Sequence, residues 1–301
     1  MRLYPLRLWS SDVEFSFMTF RNYSYMISIA LMLISIISLG VFKLNFGIDF
    51  VGGINIEISS KKPIQLAQMR KNLEKINLKE VLIQSIGENE IGIKVASGKD
   101  HDTSSIIDRI KKSINTEFEN NRIKYERVDF VGPQVGSQMI WSGIMSVTLA
   151  FAAIVAYIWI RFEWRFGIGI ILSLVHDIIL CLGFASWMQL DFNLSSIAAL
   201  LTIVGYSVND SVVIYDRIRE NLHKWSHKNI IEIINMSINQ TLSRTTLTVL
   251  TTLIANLALI VYGGKAIQEF SLLMFFGILV GTFSSIFIAA PILPMFKLEK
   301  I

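Results

Sequence analysis

Residues 200–221 read LLTIVGYSVNDSVVIYDRIREN, an apolar run that holds Asn209 and Asp210 inside it and leaves on Asp216, Arg217, Arg219 and Glu220. Its length and character are those of a membrane helix. An aspartate near the centre of such a helix costs roughly 2.5 to 3.5 kcal/mol on insertion scales. Groups kept at that cost face a bundle interior or a wet cavity, and they mark an ion or proton route or an interhelical hydrogen bond. This segment alone leaves both roles open.

The surrounding chain makes the membrane reading general. Of 301 residues, 52% are hydrophobic and 17% charged, and the mean hydropathy is +0.51. Soluble domains carry about 25% charge, so the composition is that of an integral membrane protein with some soluble mass. The net charge of +4 and pI near 9.1 arise mainly beside apolar runs and in one polar block, so they point to membrane orientation rather than nucleic acid. The single cysteine, Cys181, allows no internal disulfide, and no Cys/His metal spacing occurs. The first apolar run is too long and too late for a cleavable signal and lacks a small-residue cleavage site.

Taken in order, a basic N-terminal segment (1–22), with a weakly amphipathic stretch at 12–20, leads to a first span at 23–42. Further spans are expected at 137–160, 166–188, 194–215, 244–262 and 270–296, with a polar connector at 216–243, read as an amphipathic helix, and a tail at 297–301. Between the first two spans, residues 43–135 read as an α/β domain. Residues 48–51 and 55–58 have β character, Pro63 opens a helix, and residues 81–86 and 91–95 alternate around a Gly87-Glu88-Asn89-Glu90 turn. A helix capped at Asp102, Thr103 or Ser104 follows, with a stripe of Ile106, Ile107, Ile110, Ile114 and Phe118, then a strand at 123–130. The order β-α-β-β-α-β is ferredoxin-like. His101 sits in a polar turn and reads as solvated. The fold class is therefore a polytopic α-helical membrane protein of six spans with one exported ferredoxin-like domain. Apart from that domain, Arg2, Arg7, Arg21, Arg161, Arg165, Arg217, Arg219, Lys224, Lys228, Arg244, Lys297 and Lys300 fall on the side of the termini, and only Lys265 opposes them. That bias puts both termini in the cytoplasm and residues 43–135 outside.

Three polar clusters lie in the spans: His176/Asp177, Asn209/Asp210, and the stripe Arg244, Thr248, Thr251, Thr252. Tyr206, Asp210 and Arg217 share one helix face, a polar track toward the cytoplasmic side. A proton carrier needs a carboxylate able to be charged or neutral and a cation that favours the charged form. Asp210 and Arg244 supply these, with Asn209, Asp177, His176, Thr248 and Tyr206 as weaker candidates. The competing reading is structural: threonines bond back to their own helix and Arg244 snorkels. His176 and Asp177, being adjacent, point about 100° apart. Gly277 and Gly281 permit close helix approach. Enzyme chemistry is disfavoured, because Asp210 lacks the GxGD setting of intramembrane aspartyl proteases and no HExxH occurs.

Several stretches carry a resemblance. Gly47-Ile48-Asp49-Phe50-Val51-Gly52-Gly53 resembles the entry to the exported domain of the SecD/SecF family, and Val131-Gly132-Pro133-Gln134-Val135-Gly136 resembles its return to the membrane. The run from Gly205 to Ser211 with Asp216-Arg217-Ile218-Arg219-Glu220-Asn221 is similar to the SecF type of fourth helix; Ser243-Arg244-Thr245 and Gly263-Gly264 match the fifth. The His176-Asp177 pair also resembles a feature of that type. The resemblance covers nearly the whole chain. It implies an RND-type six-helix bundle paired with SecD in the bacterial cytoplasmic membrane. It further implies use of proton-motive force to assist export of unfolded preprotein after SecA has driven it through SecYEG, possible association with YajC, protons as the coupling ion, and no cofactor, metal or nucleic acid. By motif, Asp210 becomes the proton-titrating carboxylate and Arg244 its charge partner. The chain then carries one six-helix set, with SecD on another chain. Moving one charge through 100 mV yields roughly 2.3 kcal/mol, enough to bias two bundle states. A passive scaffold and a small-molecule exporter of the same superfamily stand as alternatives.

Overall fold

The six apolar runs become six long helices, and the polar stretch after the first of them becomes a separate α/β unit. The computed structural model describes residues 15–76, 81–87, 89–95, 103–162, 164–263 and 265–296. Expectations on residues 1–14, Glu88, His101, Asp102, Glu163, Gly264 and the 297–301 tail lie outside the described residues.

A single 3-10 turn (Phe17–Phe20) leads into α1 (Arg21–Val41). The short helix α2 (Ile48–Val51) follows, where the sequence reads as strand. Glycines explain the difference: Gly52 and Gly53 take φ of 74° and 134°, a region that glycine enters at little cost, and the strand starts at that reversal. The α/β unit then runs β1 (Gly53–Ser59), α3 (Leu66–Glu74), β2 (Val81–Gly87), β3 (Glu90–Val95), α4 (Thr103–Glu117) and β4 (Lys124–Val131). Its sheet order is β2-β3-β1-β4, antiparallel throughout, which is the ferredoxin-like arrangement. Alternation drives it: Ile54, Ile56 and Ile58 on β1 and Ile91, Ile93 and Val95 on β3 point to one face, where Met69, Leu73, Ile110 and Ile114 of the helices close over them.

The helical unit comprises the described residues up to Asn45 and from Ser146 onward. After α5 (Pro133–Arg161) come α6 (Trp164–Trp187), α7 (Leu194–Lys224), α8 (Ile230–Tyr262) and α9 (Lys265–Ser284). The connector at 216–243 is not an element of its own. α7 continues to Lys224, and α8 starts at Ile230 behind Asn229, whose side chain accepts from the Ile231 amide at 3.1 Å. Buried Ile214 and Ile218 on one helix and Ile233, Ile234 and Ile238 on the other keep the amphipathic period unbroken, so the helices have no reason to stop. Asn221 Nδ2 donates to Ser237 Oγ and to Gln240 Oε1, both at 2.9 Å, and locks the pair. The N-terminal turn docks there too, Met18 N donating to Asn235 Oδ1 at 2.9 Å. The last span also departs from a plain helix. A π-turn (Ser285–Ala289) interrupts it, and Pro291 and Pro294 follow.

Small residues bring the central helices together. A methyl group at Gly183 of α6 would overlap the Ser35 side chain of α1 and lie 2.7 Å from its Cα. At Gly277 of α9 it would strike Ile203 of α7, and at Gly281 it would lie 3.0 Å from Ser207 Cβ. The glycine pair of α9 is thus a packing surface. Gly183→Ala is expected to lower the thermal midpoint of the detergent-purified protein by an overpacking cost of about 1–3 kcal/mol. Gly40→Ala, where nothing lies within 4 Å, is expected to leave that midpoint unchanged or raise it.

Candidate functional site

The helical unit buries one cluster of polar residues where α6, α7 and α9 meet. α6 and α7 run antiparallel in a fixed register: Asp177 meets Ser207, and two turns along Gly169 meets the Tyr215 phenol. α7 and α9 run parallel with partners 74 residues apart: Ile203 against Gly277, Ser207 against Gly281, and Tyr215 bonded to Ala289. Where the three lines cross stands Asp177, with no exposed surface.

Its carboxylate is fully engaged. Ser207 Oγ donates to Oδ2 at 2.6 Å, Ser284 Oγ donates to the same oxygen at 2.8 Å, and His176 Nδ1 lies 3.0 Å from Oδ1. Adjacent in sequence, His176 and Asp177 therefore contact each other. The other imidazole nitrogen, Nε2, is buried without a partner. On the neighbouring α1, Ser35 against Gly183 and Ser38 against Ser186 are each 148 residues apart, and this register sets Ser28 beside His176. Ser28 Oγ is also buried and unpartnered.

Asp210 is the opposite case. It is 3% exposed, and its Oδ2 is buried with no hydrogen-bond partner. Asn209, next to it, is exposed. Across to α8, Tyr206 lies 3.3 Å from Thr252 Oγ1 and Arg217 Nε donates to Gln240 at 2.6 Å. That register puts Thr248 level with Asp210 and Arg244 one turn further on. Arg244 is exposed and makes no ion pair with Asp210. Thr248 donates back to the Arg244 and Thr245 carbonyls at 3.1 and 2.9 Å. Arg217 is occupied by Gln240 and Glu220, and Arg161 forks onto Asp216 with both oxygens at 2.8 Å.

The structure thus joins His176 to Asp177 and Tyr206 to Thr252, and leaves Asp210, Asn209 and Arg244 without a hydrogen bond or ion pair to one another. Sequence reasoning overlooked Ser284 and Tyr215. Ser284 had a signal: Ser284-Ser285 is a polar pair inside an apolar run, six residues before a proline. Tyr215 had little, since its value lies in a bond to Ala289 O at 2.7 Å that the π-turn leaves available.

Comparison with known proteins gives a consistent result. The profile described as "Protein export membrane protein SecD/SecF, C-terminal" matches residues 110–299, and that of the "SecD/SecF GG Motif" matches residues 37–64. The chain is 57% identical over its full length to the protein translocase subunit SecF of Rickettsia rickettsii (strain Sheila Smith), covering 97% of that protein. It is 56% identical to the corresponding subunit of Rickettsia bellii (strain OSU 85-389), covering 99%. Among solved structures it superposes on SecDF from Thermus thermophilus, a translocon-associated membrane protein, with a TM-score of 0.86 and 34% identity over 97% of this chain. SecDF in its super-membrane-facing form gives 0.70 over 96%. The chain spans 39% of the length of each of those solved chains.

The two aspartates should respond oppositely to removal. Asp177→Ala strands two serine donors and takes away the contact of His176 Nδ1. At the roughly 0.6 to 1.7 kcal/mol measured per interhelical hydrogen bond in membranes, it is expected to destabilise the bundle by about 2–5 kcal/mol. Asp210→Leu removes a carboxylate with one buried oxygen that nothing satisfies and is expected to leave the thermal midpoint unchanged or higher. Thermal unfolding of both purified variants reads the contrast directly.

Proposed function

The chain belongs to the SecD/SecF family of protein export membrane proteins, and from that premise we propose that it is a proton-driven accessory subunit of the bacterial Sec translocase. In this reading it pairs with SecD, works beside SecYEG and SecA with YajC as a further associate, and uses proton-motive force to assist export of unfolded preprotein after the SecA-driven step. It sits in the cytoplasmic membrane with both termini inside and residues 43–135 outside, as the placement of Lys and Arg supports.

One observation carries the proposal. Asp210 is a carboxylate buried in a membrane-length helix with an oxygen that no protein group satisfies, while a cation stands one turn away on the next helix. A structural carboxylate finds donors, as Asp177 does; a group that must gain and lose a proton is left free to do so. Arg244 is the candidate that favours its charged state, and Tyr206, Thr248 and Asn209 line the same side of α7 and α8.

Partnership has its own support. On α7 the residues Ala198, Thr202, Gly205 and Asn209 form one exposed stripe at helical spacing, and Arg244, Thr251, Ala255 and Ala258 form another on α8. In membranes small and polar residues mark helix–helix contacts, and lipid-facing surface is apolar. The six helices make one set, and such bundles build their transport path where two sets meet. SecD would supply the second.

The test is export of a secreted reporter in cells whose only copy of this subunit carries Asp210→Asn. Export is expected to fall to the level of cells lacking the subunit, while the variant inserts and co-purifies with SecD. Normal export at full membrane potential would reject the proton role and leave a scaffold.

A further inference from the structure

Asp210 has no partner, yet the register of the bundle sets a hydroxyl at its level on the neighbouring helix. With α7 and α9 partners 74 residues apart, Asp210 is level with Ser284 and Ser211 with Ser285. Ser284 is fully buried and stands immediately before the π-turn. Its one hydroxyl proton is shared between two acceptors, Asp177 Oδ2 at 2.8 Å and the Gly281 carbonyl at 3.1 Å. Its oxygen lone pairs are free to accept. Ser207 donates to Asp177 as well, but through a single 2.6 Å bond, which makes it the fixed partner and Ser284 the one able to turn.

We propose that Ser284 relays a proton between Asp210 and Asp177, a role that rests on the reading of Asp210 as the proton carrier. In the step, the protonated Asp210 gives its proton to Ser284 Oγ as the Ser284 proton passes to Asp177 Oδ2. One O–H bond breaks and one forms at the serine, so the hydroxyl is regenerated. The negative charge moves from Asp177 to Asp210, and no electron is transferred. The π-turn fits the role, because such turns release backbone groups and let a helix re-set locally. Its far end is held by Tyr215 on Ala289 O, so the serine can turn while the rest of the segment stays anchored. His176, whose Nδ1 faces Asp177 and whose Nε2 is free, is placed to take the charge onward. Near this level the other titratable or charged groups on the packed elements are Cys181 on α6, Tyr25 on α1, Tyr206 and Tyr215 on α7 and Arg244 on α8; α9 from Gly277 through the π-turn contributes only hydroxyls.

Infrared difference spectroscopy across a pH titration tests it, on the full chain co-purified with its partner subunit in lipid, together with proton uptake by reconstituted vesicles. Asp210→Asn should remove a protonated-carboxyl band; if no band is lost, Asp210 is not the carrier and the relay falls with it. Ser284→Ala should shift that band, because the protonated carboxyl loses the acceptor of its O–H, and cut proton uptake by about a hundredfold, the lower end for losing a positioned proton-transfer group. Ser284→Thr, which keeps the hydroxyl, should restore both. A band that stays in place under Ser284→Ala overturns the relay and leaves the Asp210 reading intact. So does a shifted band with unchanged uptake, or a loss of uptake on Ser207→Ala but not on Ser284→Ala.

Discussion

A carboxylate with no exposed surface persists inside an apolar bundle only if donors meet it, and the convergence of two serines and a histidine on Asp177 satisfies that condition. Each serine donor comes with a helix, Ser207 with α7 and Ser284 with α9, and the accepting Asp177 belongs to α6. In a bilayer there is no hydrophobic force between helices, since lipid tails are as apolar as leucine, so association depends on close packing and on bonds of this kind. The Asp177 contact therefore sets both the angle and the axial register of the three central helices.

Register and close approach depend on each other. Ser207 reaches Asp177 at 2.6 Å while Gly281 of α9 packs beside it, and Tyr215 crosses Gly169 of α6 to reach the Ala289 carbonyl. A methyl group at Gly169 would collide with that phenol, and at Gly281 it would press on Ser207. The glycines and the polar contacts are one device: the first permit the helix separations at which the second have hydrogen-bond length. The π-turn belongs to it as well. One extra residue per turn at Ser285–Ala289 leaves a carbonyl for Tyr215, and it directs Ser284 inward just ahead of that turn.

Much of this was legible in the residues, and the gaps have physical causes. Long apolar runs and the period of Ile54, Ile56 and Ile58 determine helices and strands locally, so the six helices and the ferredoxin-like order could be read directly. Residues 48–51 misled because Ile, Phe and Val favour strands, whereas the path there is decided by Gly52 and Gly53 at positive φ. The connector misled because charge suggests a boundary, while Ile218, Ile233 and Ile238 carry the buried stripe straight through it. The partners of the two aspartates could not be read. Depth in the membrane makes both look alike in sequence, and only the three-helix crossing reveals that one is satisfied and the other is not. Ser284 was hidden for the same reason: a hydroxyl in an apolar helix usually bonds back to its own turn, as Thr248, Thr251 and Thr252 do here.

The contrast between the aspartates also bears on how a proton could do work in the proposed function. A charge that moves between two sites of equal solvation changes little, but Asp177 and Asp210 differ in every bond they make. With Asp177 charged, Ser207 and Ser284 are drawn to α6 and the central helices are clamped. Neutralising Asp177 weakens both bonds at once, because a protonated carboxyl accepts less strongly than a carboxylate. The clamp would then loosen at Ser284, beside the π-turn, where the helix is least regular. Arg244 and Asn209 sit on the outer side of the same level, on the face proposed to meet a second half. A proton entering from that face would reach Asp210 first and the clamp second, which gives the transfer a direction and couples the filling of an interface site to the release of an interior one.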